Sequence, residues 1–330
     1  MTQTVLTGVK STGTPHVGNL LGAIWPMIKW VNQADQAFVF IADFHALNSV
    51  HDPKMMRFHT LEIAAVYMAM GLDLKRAAFF RQSDVPVVTE LATILNNVTP
   101  KGLMDRAHSY KDSVAKNLTD GRDADAGVNM GLYNYPILMA ADILLYNTDI
   151  VPVGKDQKQH LEFARDIAGY FNNTYGEIFK LPAESIREDV GLIPGLDGRK
   201  MSKSYGNQIP IFDSAGELEK KIMRIATDSA RPEDPKNPDE SVIFIIYREF
   251  ASPEQTAEMR EAFLSGKIGY GDAKKQLFTV MNQILAPRRE VFNELMANPD
   301  RIMAALEKGA ARARPVADAT IARVRQAIGL

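Results

Sequence analysis

Between Thr4 and Arg81 three short apolar runs alternate with two helical patterns, and that alternation leaves few folds open. Thr4–Val9, rich in Val, Thr and Leu, reads as a first strand. Phe38-Val39-Phe40-Ile41 is a continuous apolar run, as expected of a strand buried on both faces. Ala77–Arg81 reads as a third strand. A helix is expected from about Val17 towards Val31, kinked by Pro26. The second helix is punctuated by Asp52 as N-cap, Pro53 at its first position and Gly71 at its stop, with Leu61, Ala65, Met68 and Leu72 at helical spacing. Strand–helix–strand–helix–strand predicts an α/β fold with a parallel sheet and right-handed crossovers.

Further along, residues 135–146 form a mostly apolar helix that carries one acid, Asp142. Val151-Pro152-Val153-Gly154 predicts another buried strand, followed by a helix from near Asp156 that buries Leu161, Ala164, Ala168 and Phe171. Residues 115–126, polar and Asp-rich, predict a surface loop. Beyond Ser204 the alternation stops. Helices are expected over 216–227, 252–264, 271–296 (interrupted at Pro287) and 316–328, with a capping box at Ser252 and Gln255. The expected boundary lies near Gly206, giving an α/β unit over 1–206 and a helical unit over 207–330.

Composition narrows the function classes. At 330 residues and 46% hydrophobic the chain can bury a large core, and its net charge of −2 creates no basic field for nucleic acid or membrane. With no cysteine, a thiolate metal site and a disulfide are excluded. No apolar run reaches the ~20 residues of a membrane helix, and the first residues lack a secretion signal. A cytoplasmic protein is expected.

Two segments carry chemistry. His16-Val17-Gly18-Asn19 sits where the first strand turns into the first helix. Unpaired N–H groups and the dipole favour phosphate there, Gly18 lets a nucleotide approach the backbone, and His16 can donate to phosphate oxygens. Lys200-Met201-Ser202-Lys203-Ser204 lies among Gly195, Gly198 and Gly206, so two ammonium groups and several amides can close over a departing pyrophosphate. Together, in this order, they point to chemistry at the α-phosphate of ATP. No Walker-type phosphate loop competes. Asp142 is costly to bury alone, so it meets either a ligand donor or a neighbouring lysine or cap. Asp156 and Gln157 follow a strand's carboxyl end, where open α/β sheets bind ligands; Asp156 suits ribose hydroxyls or a helix N-cap. The histidines show no metal-ligand spacing with acids, and only His45, just past the second strand, is placed to reach the cleft.

At these residues the chain resembles a family. His16-Val17-Gly18-Asn19 with Lys200-Met201-Ser202-Lys203-Ser204 is similar to the paired ATP motifs of class I aminoacyl-tRNA synthetases. Residues 135–146 and 149–160 resemble the tryptophanyl branch, and the resemblance covers nearly the whole chain. Met139 stands where the tyrosyl branch usually has glutamine. The resemblance implies a Rossmann-like catalytic domain followed by an all-helical tRNA anticodon-binding domain, its last helix packing back on the first. It implies ATP and Mg2+ (carried on the ATP phosphates, with no metal held by the protein), L-tryptophan and tRNA(Trp) as substrates and partners, and a homodimer.

By the same resemblance His16, Lys200 and Lys203 are catalytic. Lys10, Ser11, Thr12, Gly18, Asn19, Gly154, Lys155, Asp156, Leu192 and Lys200, Met201, Ser202, Lys203 and Ser204 bind ATP, and Lys111 reaches pyrophosphate. Asp142 accepts the indole N–H, while Tyr135, Met139, Val151, Val153 and Leu6 wall the pocket and Gln157 and His45 hold the amino or carboxylate end. Lys220, Lys221, Arg224, Lys274 and Lys275 offer either phosphate contacts or a solvated face. Lys10, Lys155 and Tyr205 depart from the residues relatives often carry (Gln, Glu and Asp). Rival readings are a tyrosyl enzyme, a nucleotidylyltransferase without tRNA, and a catalytically silent RNA-binding paralogue.

Overall fold

The computed structural model describes residues 3–153, 158–186 and 193–330. Five strands, β1 (Thr4–Val9), β2 (Gln36–Ile41), β3 (Ala77–Arg81), β4 (Ile150–Val153) and β5 (Ala183–Ile186), form one parallel sheet in the order β3-β2-β1-β4-β5. Side chains alternate across it as the strand period demands. Val5, Val39, Ile41, Ala77 and Phe79 enter one core. Leu6, Phe38, Phe40, Ala78 and Phe80 enter the other.

The helix after β1 is continuous in direction but not in type. It begins as α1 (Val17–Asn19), passes through a π-helical stretch at Leu20–Ile24, and resumes as α2 (Trp25–Gln33). Pro26 stands in the first turn of α2. The wider π turn just ahead takes up the missing N–H and the ring, so the expected kink becomes a change of helical pitch. After β2 come the short α3 (Asp43–Ala46) and α4 (Pro53–Ala69), capped by Asp52 as expected.

After β3 come α5 (Val87–Asn96), α6 (Lys101–Met104), α7 (His108–Thr119) and α8 (Met130–Leu145). The stretch 115–126 is thus no plain loop: its first half completes α7, and buried Asn117 donates to the carbonyls of Ala124 and Ala126 at 2.9 and 2.8 Å. After β4, α9 (Lys158–Tyr175) buries Leu161, Ala164, Ala168 and Phe171; its expected start at Asp156 lies outside the described residues.

From Ala215 on, the described elements are helical: α10 (Ala215–Met223), α11 (Val242–Tyr247), α12 (Pro253–Leu264), α13 (Tyr270–Ala297) and α14 (Pro299–Ile328). Two helix boundaries differ from those expected. Pro287 lies inside an unbroken α13, and α14 starts 17 residues before Val316 and contains Pro315. Helix α13 packs on α4 and α10, and α14 runs back across the open edge of the sheet at β3. A Cβ on Gly309 would come 1.8 Å from the Phe79 carbonyl oxygen, so only glycine admits the helix this close. Arg312 donates to the carbonyls of Leu74, Arg76 and Ala77 at 2.9–3.0 Å, which satisfies the rim of the edge strand. No helix among the described residues is long and apolar enough to cross a membrane.

Candidate active site

Strand β1 pairs with β2 on one side and β4 on the other, so the strand order reverses there. Chain segments leaving the carboxyl ends diverge at such a point and open a crevice. A cavity of about 580 Å3 lies in it. Its walls come from the end of β1 (Leu6 to Lys10), the start of α1 (His16, Asn19), α8 (Tyr135, Met139, Asp142), β4 (Val151) and Lys203.

Asp142 forms the polar floor. It is 2% exposed in an otherwise apolar helix. His45 Nε2 donates to its Oδ2 at 3.0 Å, and the Gln82 amide donates to Oδ1 and Oδ2 at 2.9 Å each. Burial pushes the carboxyl upward, and the hydrogen bonds from His45 and then Gln82 oppose that push. The partners are therefore an imidazole and an amide rather than the neighbouring lysine or cap that the sequence left open. Tyr135 closes the wall: its hydroxyl lies 3.0 Å from His160 Nε2, and the Lys10 ammonium stands 5.7 Å from its ring centre. Burial lowers the Lys10 pKa.

At the opposite end the N–H groups expected to be unpaired at the helix start are taken, Val17 by the Ile209 carbonyl, Gly18 by the Met201 sulfur and Asn19 by His16, so side chains rather than backbone amides face an anion there. His16 caps the first helix: its Nδ1 accepts from the Asn19 N–H at 3.3 Å, and Asn19 Oδ1 accepts from the His16 N–H at 3.1 Å. With Nδ1 used as an acceptor, the neutral ring carries its proton on Nε2 and is a donor there. Burial, and then the Lys203 charge, lower this imidazole from its ordinary 6.5 to about 4. We expect the His16 ring to titrate near pH 4 in a histidine NMR titration, and Lys203→Ala to raise that value part of the way back. The unfolded ring takes up its proton first, near 6.5. Stability from this group is therefore complete above that pH and lost as pH falls towards 4.

The second lysine motif docks directly on this helix start. Met201 is buried, and its sulfur accepts the Gly18 N–H at 3.2 Å. A Cβ on Gly18 would come within 3.1 Å of the His16 ring and 3.3 Å of Met201 Cβ. The Val17 N–H donates to the Ile209 carbonyl at 2.8 Å, so the chain after the loop is tied to the same turn. Lys203 reaches Gly13, whose φ of +125° suits glycine; a Cβ there would lie 2.6 Å from the Lys203 ammonium. Burial lowers the Lys203 pKa, and Glu62 on α4 opposes this. A second cavity of about 280 Å3 continues past His16 and Asn19 to Gly18, Lys200, Met201 and Ser202.

Most of the residues expected from the sequence converge here, with exceptions. Lys10, Thr12, His16, Asn19, Lys203, Leu6, Tyr135, Met139, Asp142, Val151 and His45 line the larger cavity, and Gly18, Lys200 and Met201 the smaller; Ser202 lines both. Ser11 is buried, its hydroxyl 3.9 Å from the Met56 sulfur, and lines neither. The Ser204 N–H donates to Ser202 Oγ within the loop. Tyr205 stacks under the Arg199 guanidinium at 4.5 Å. Gly154, Lys155, Asp156, Gln157 and Leu192, and the side chain of Val153, lie outside the described residues.

Of the five basic residues named above as candidate phosphate contacts, Lys274 is not a solvated cation: it is buried and donates to the Met223 carbonyl at the end of α10 at 3.1 Å. Lys220, Lys221 and Lys275 pair with Glu217, Asp213 and Asp272.

Two participants escaped the sequence reading. Gln82 stands one residue past β3, the kind of position that singled out His45 past β2. Asn207 is buried beneath the loop, where its Oδ1 accepts the Ser202 N–H at 2.9 Å and its amide donates to Asp197 and the Lys200 carbonyl at 2.6 and 3.1 Å. Its signal was its place directly after Gly206.

Comparison with known proteins fits this geometry. The family described as tRNA synthetases class I (W and Y) matches residues 2–286. The tryptophan--tRNA ligase of Pseudomonas aeruginosa is 50% identical over all of this chain and 74% of its own length. That of Neisseria meningitidis is 48% identical over 99% of this chain and 97% of its own. The crystal structure of tryptophanyl-tRNA synthetase from Campylobacter jejuni, complexed with ADP and tryptophan, superimposes with a TM-score of 0.91 at 43% identity, covering 99% of this chain and all of that one.

Proposed function

The chain belongs to the class I tRNA synthetases of the W and Y branch, and on that footing we propose that it works as a tryptophan--tRNA ligase. It joins ATP and L-tryptophan to tryptophanyl-adenylate with release of diphosphate. It then passes the tryptophanyl group to tRNA(Trp) and releases AMP. The observation that carries the choice of amino acid is Asp142, an acceptor sunk at the floor of the cavity. An indole N–H is a donor only, and a buried carboxylate is its complement.

The geometry supports the following roles. Leu6, Tyr135, Met139 and Val151 enclose the ring while Asp142 receives its N–H. His45, held on Asp142, orients that acceptor, a different task from holding the amino or carboxylate end. The substrate carboxylate is already ionised at neutral pH, so its attack on the α-phosphorus needs no general base. As the bond to the bridging oxygen breaks, charge gathers on the departing pyrophosphate. Lys200, Lys203 and the Nε2–H of His16 meet it there, and their fixed positions are the source of the rate. Lys10, Thr12 and Asn19 line the path of the nucleotide. Mg2+ enters with ATP as part of that substrate. Phosphate oxygens would hold it, as the family resemblance implies.

The proposal also includes residues 1–206 as the catalytic unit and 207–330 as the anticodon-binding unit, a homodimer, and a cytoplasmic setting. These rest on family membership. Amino-acid-dependent ATP–pyrophosphate exchange tests the reading. We expect tryptophan to support exchange and tyrosine to support it far more weakly, because the apolar Met139 beside Asp142 offers a phenol no second polar partner. Equal exchange with tyrosine would overturn it.

A further inference from the structure

We propose that Gln82 is the positioning residue that aims the Asp142 carboxylate, so that selection of tryptophan depends on a side chain outside the cavity wall. The inference rests on Asp142 as the indole acceptor. Gln82 is 2% exposed, in the short turn Gln82–Asp84 that follows β3. Its Oε1 accepts the Phe44 N–H at 3.2 Å. That contact fixes which end of the amide is oxygen, and its NH2 must then face Asp142.

The turn itself is strapped to the neighbouring one. Asp43 Oδ1 accepts the N–H groups of Ser83 and Phe44 at 3.0 Å each, and the Ser83 hydroxyl donates to Asp43 Oδ2. On the other side of the turn, the Arg81 N–H and guanidinium hold the Asp84 carboxylate. Gln82 is thus locked between the turns after β2 and β3 before any substrate arrives.

The consequence falls on the carboxylate. An ionised carboxylate offers about four lone-pair sites. The Gln82 amide bridges both oxygens and His45 loads Oδ2 alone, so the spare acceptor capacity lies on Oδ1. With His45 as its only donor the carboxylate would be free to turn about its terminal bond, which has no sharp rotamer preference. The N–H of the indole would then meet a mobile acceptor.

The test compares tryptophan with benzothienylalanine, the isostere that carries sulfur where the indole has its N–H. Pyrophosphate exchange with each substrate is measured for the wild-type chain, Gln82→Leu and Gln82→Met. The methionine variant keeps the length of the side chain while removing the donor to Asp142. We expect both variants to lower kcat/KM for tryptophan on the order of tenfold or more, as for a lost hydrogen bond to a charged group. The value for benzothienylalanine and the KM for ATP should stay at their wild-type levels, so that the preference for tryptophan collapses. Equal losses for both amino acids would show a merely structural role and overturn the inference. An undiminished preference in the variants would overturn it as well. A wild-type chain with no preference for tryptophan over the isostere would instead remove Asp142 from indole recognition, and this inference with it.

Discussion

Replacing Asp142 with alanine is expected to lower kcat/KM for tryptophan on the order of 10⁴-fold in pyrophosphate exchange, with little change in the KM for ATP. The estimate follows from what the substitution leaves behind. A buried site built to meet a donor discriminates by roughly that factor when one partner is missing. Here three groups lose their partner together: the indole N–H, the His45 Nε2–H and the Gln82 amide, whose acceptor oxygens all belong to Asp142. The end of the cavity proposed for ATP is separate. His16, Asn19 and Lys203 take none of their described hydrogen bonds from Asp142. A variant whose exchange rate matched wild type at limiting tryptophan would remove Asp142 from recognition.

Lys203→Ala is expected to slow adenylate formation by about 10²–10³-fold, the usual cost of losing one preorganised group at a developing charge. Tryptophan affinity should be retained, because the ammonium lies beside Gly13 and shares no described hydrogen bond with Asp142. Single-turnover formation of adenylate, followed by rapid quench, separates this step from binding. An unchanged rate would mean that the lysine only neutralises the resting site. The imidazole titration described above gives an independent reading of the same charge, since Lys203 is one of the two causes of the low His16 pKa.

The parts of this molecule that were legible in its sequence are those where one local pattern meets one physical demand. Phe38-Val39-Phe40-Ile41 could only be a doubly buried strand, and Asp52-Pro53 could hardly avoid opening a helix. Strand β5, with the sequence Ala-Glu-Ser-Ile, carries little strand propensity; it exists because β4 offers it a parallel partner over four residues. Helix α11, Val-Ile-Phe-Ile-Ile-Tyr, has no helical period because nearly all of its faces are buried between neighbours. Pro287 and Pro315 mark no boundary because the packing of α13 and α14 outweighs one lost backbone bond each.

In the site the same division holds. The two segments proposed for ATP were readable only as a pair, because either one alone also suits a plain turn or a solvated loop. Gln82 reaches Asp142 across 60 positions of sequence, and no local pattern encodes a partnership that only the sheet creates. Asn207 was hidden for a different reason: an asparagine after a glycine reads as turn chemistry, and its burial under the loop depends on Asp197 and Gly195 being folded around it.

The seal that α14 places over β3 has a consequence for the order of events during synthesis. About 200 residues, the span from Arg81 to Pro299, separate the edge strand from the helix that covers it. While the ribosome makes them, the bare rim of β3 is a template for any passing strand. Helix α14 closes that template once it is made, so its role includes guarding the sheet edge against misassembly.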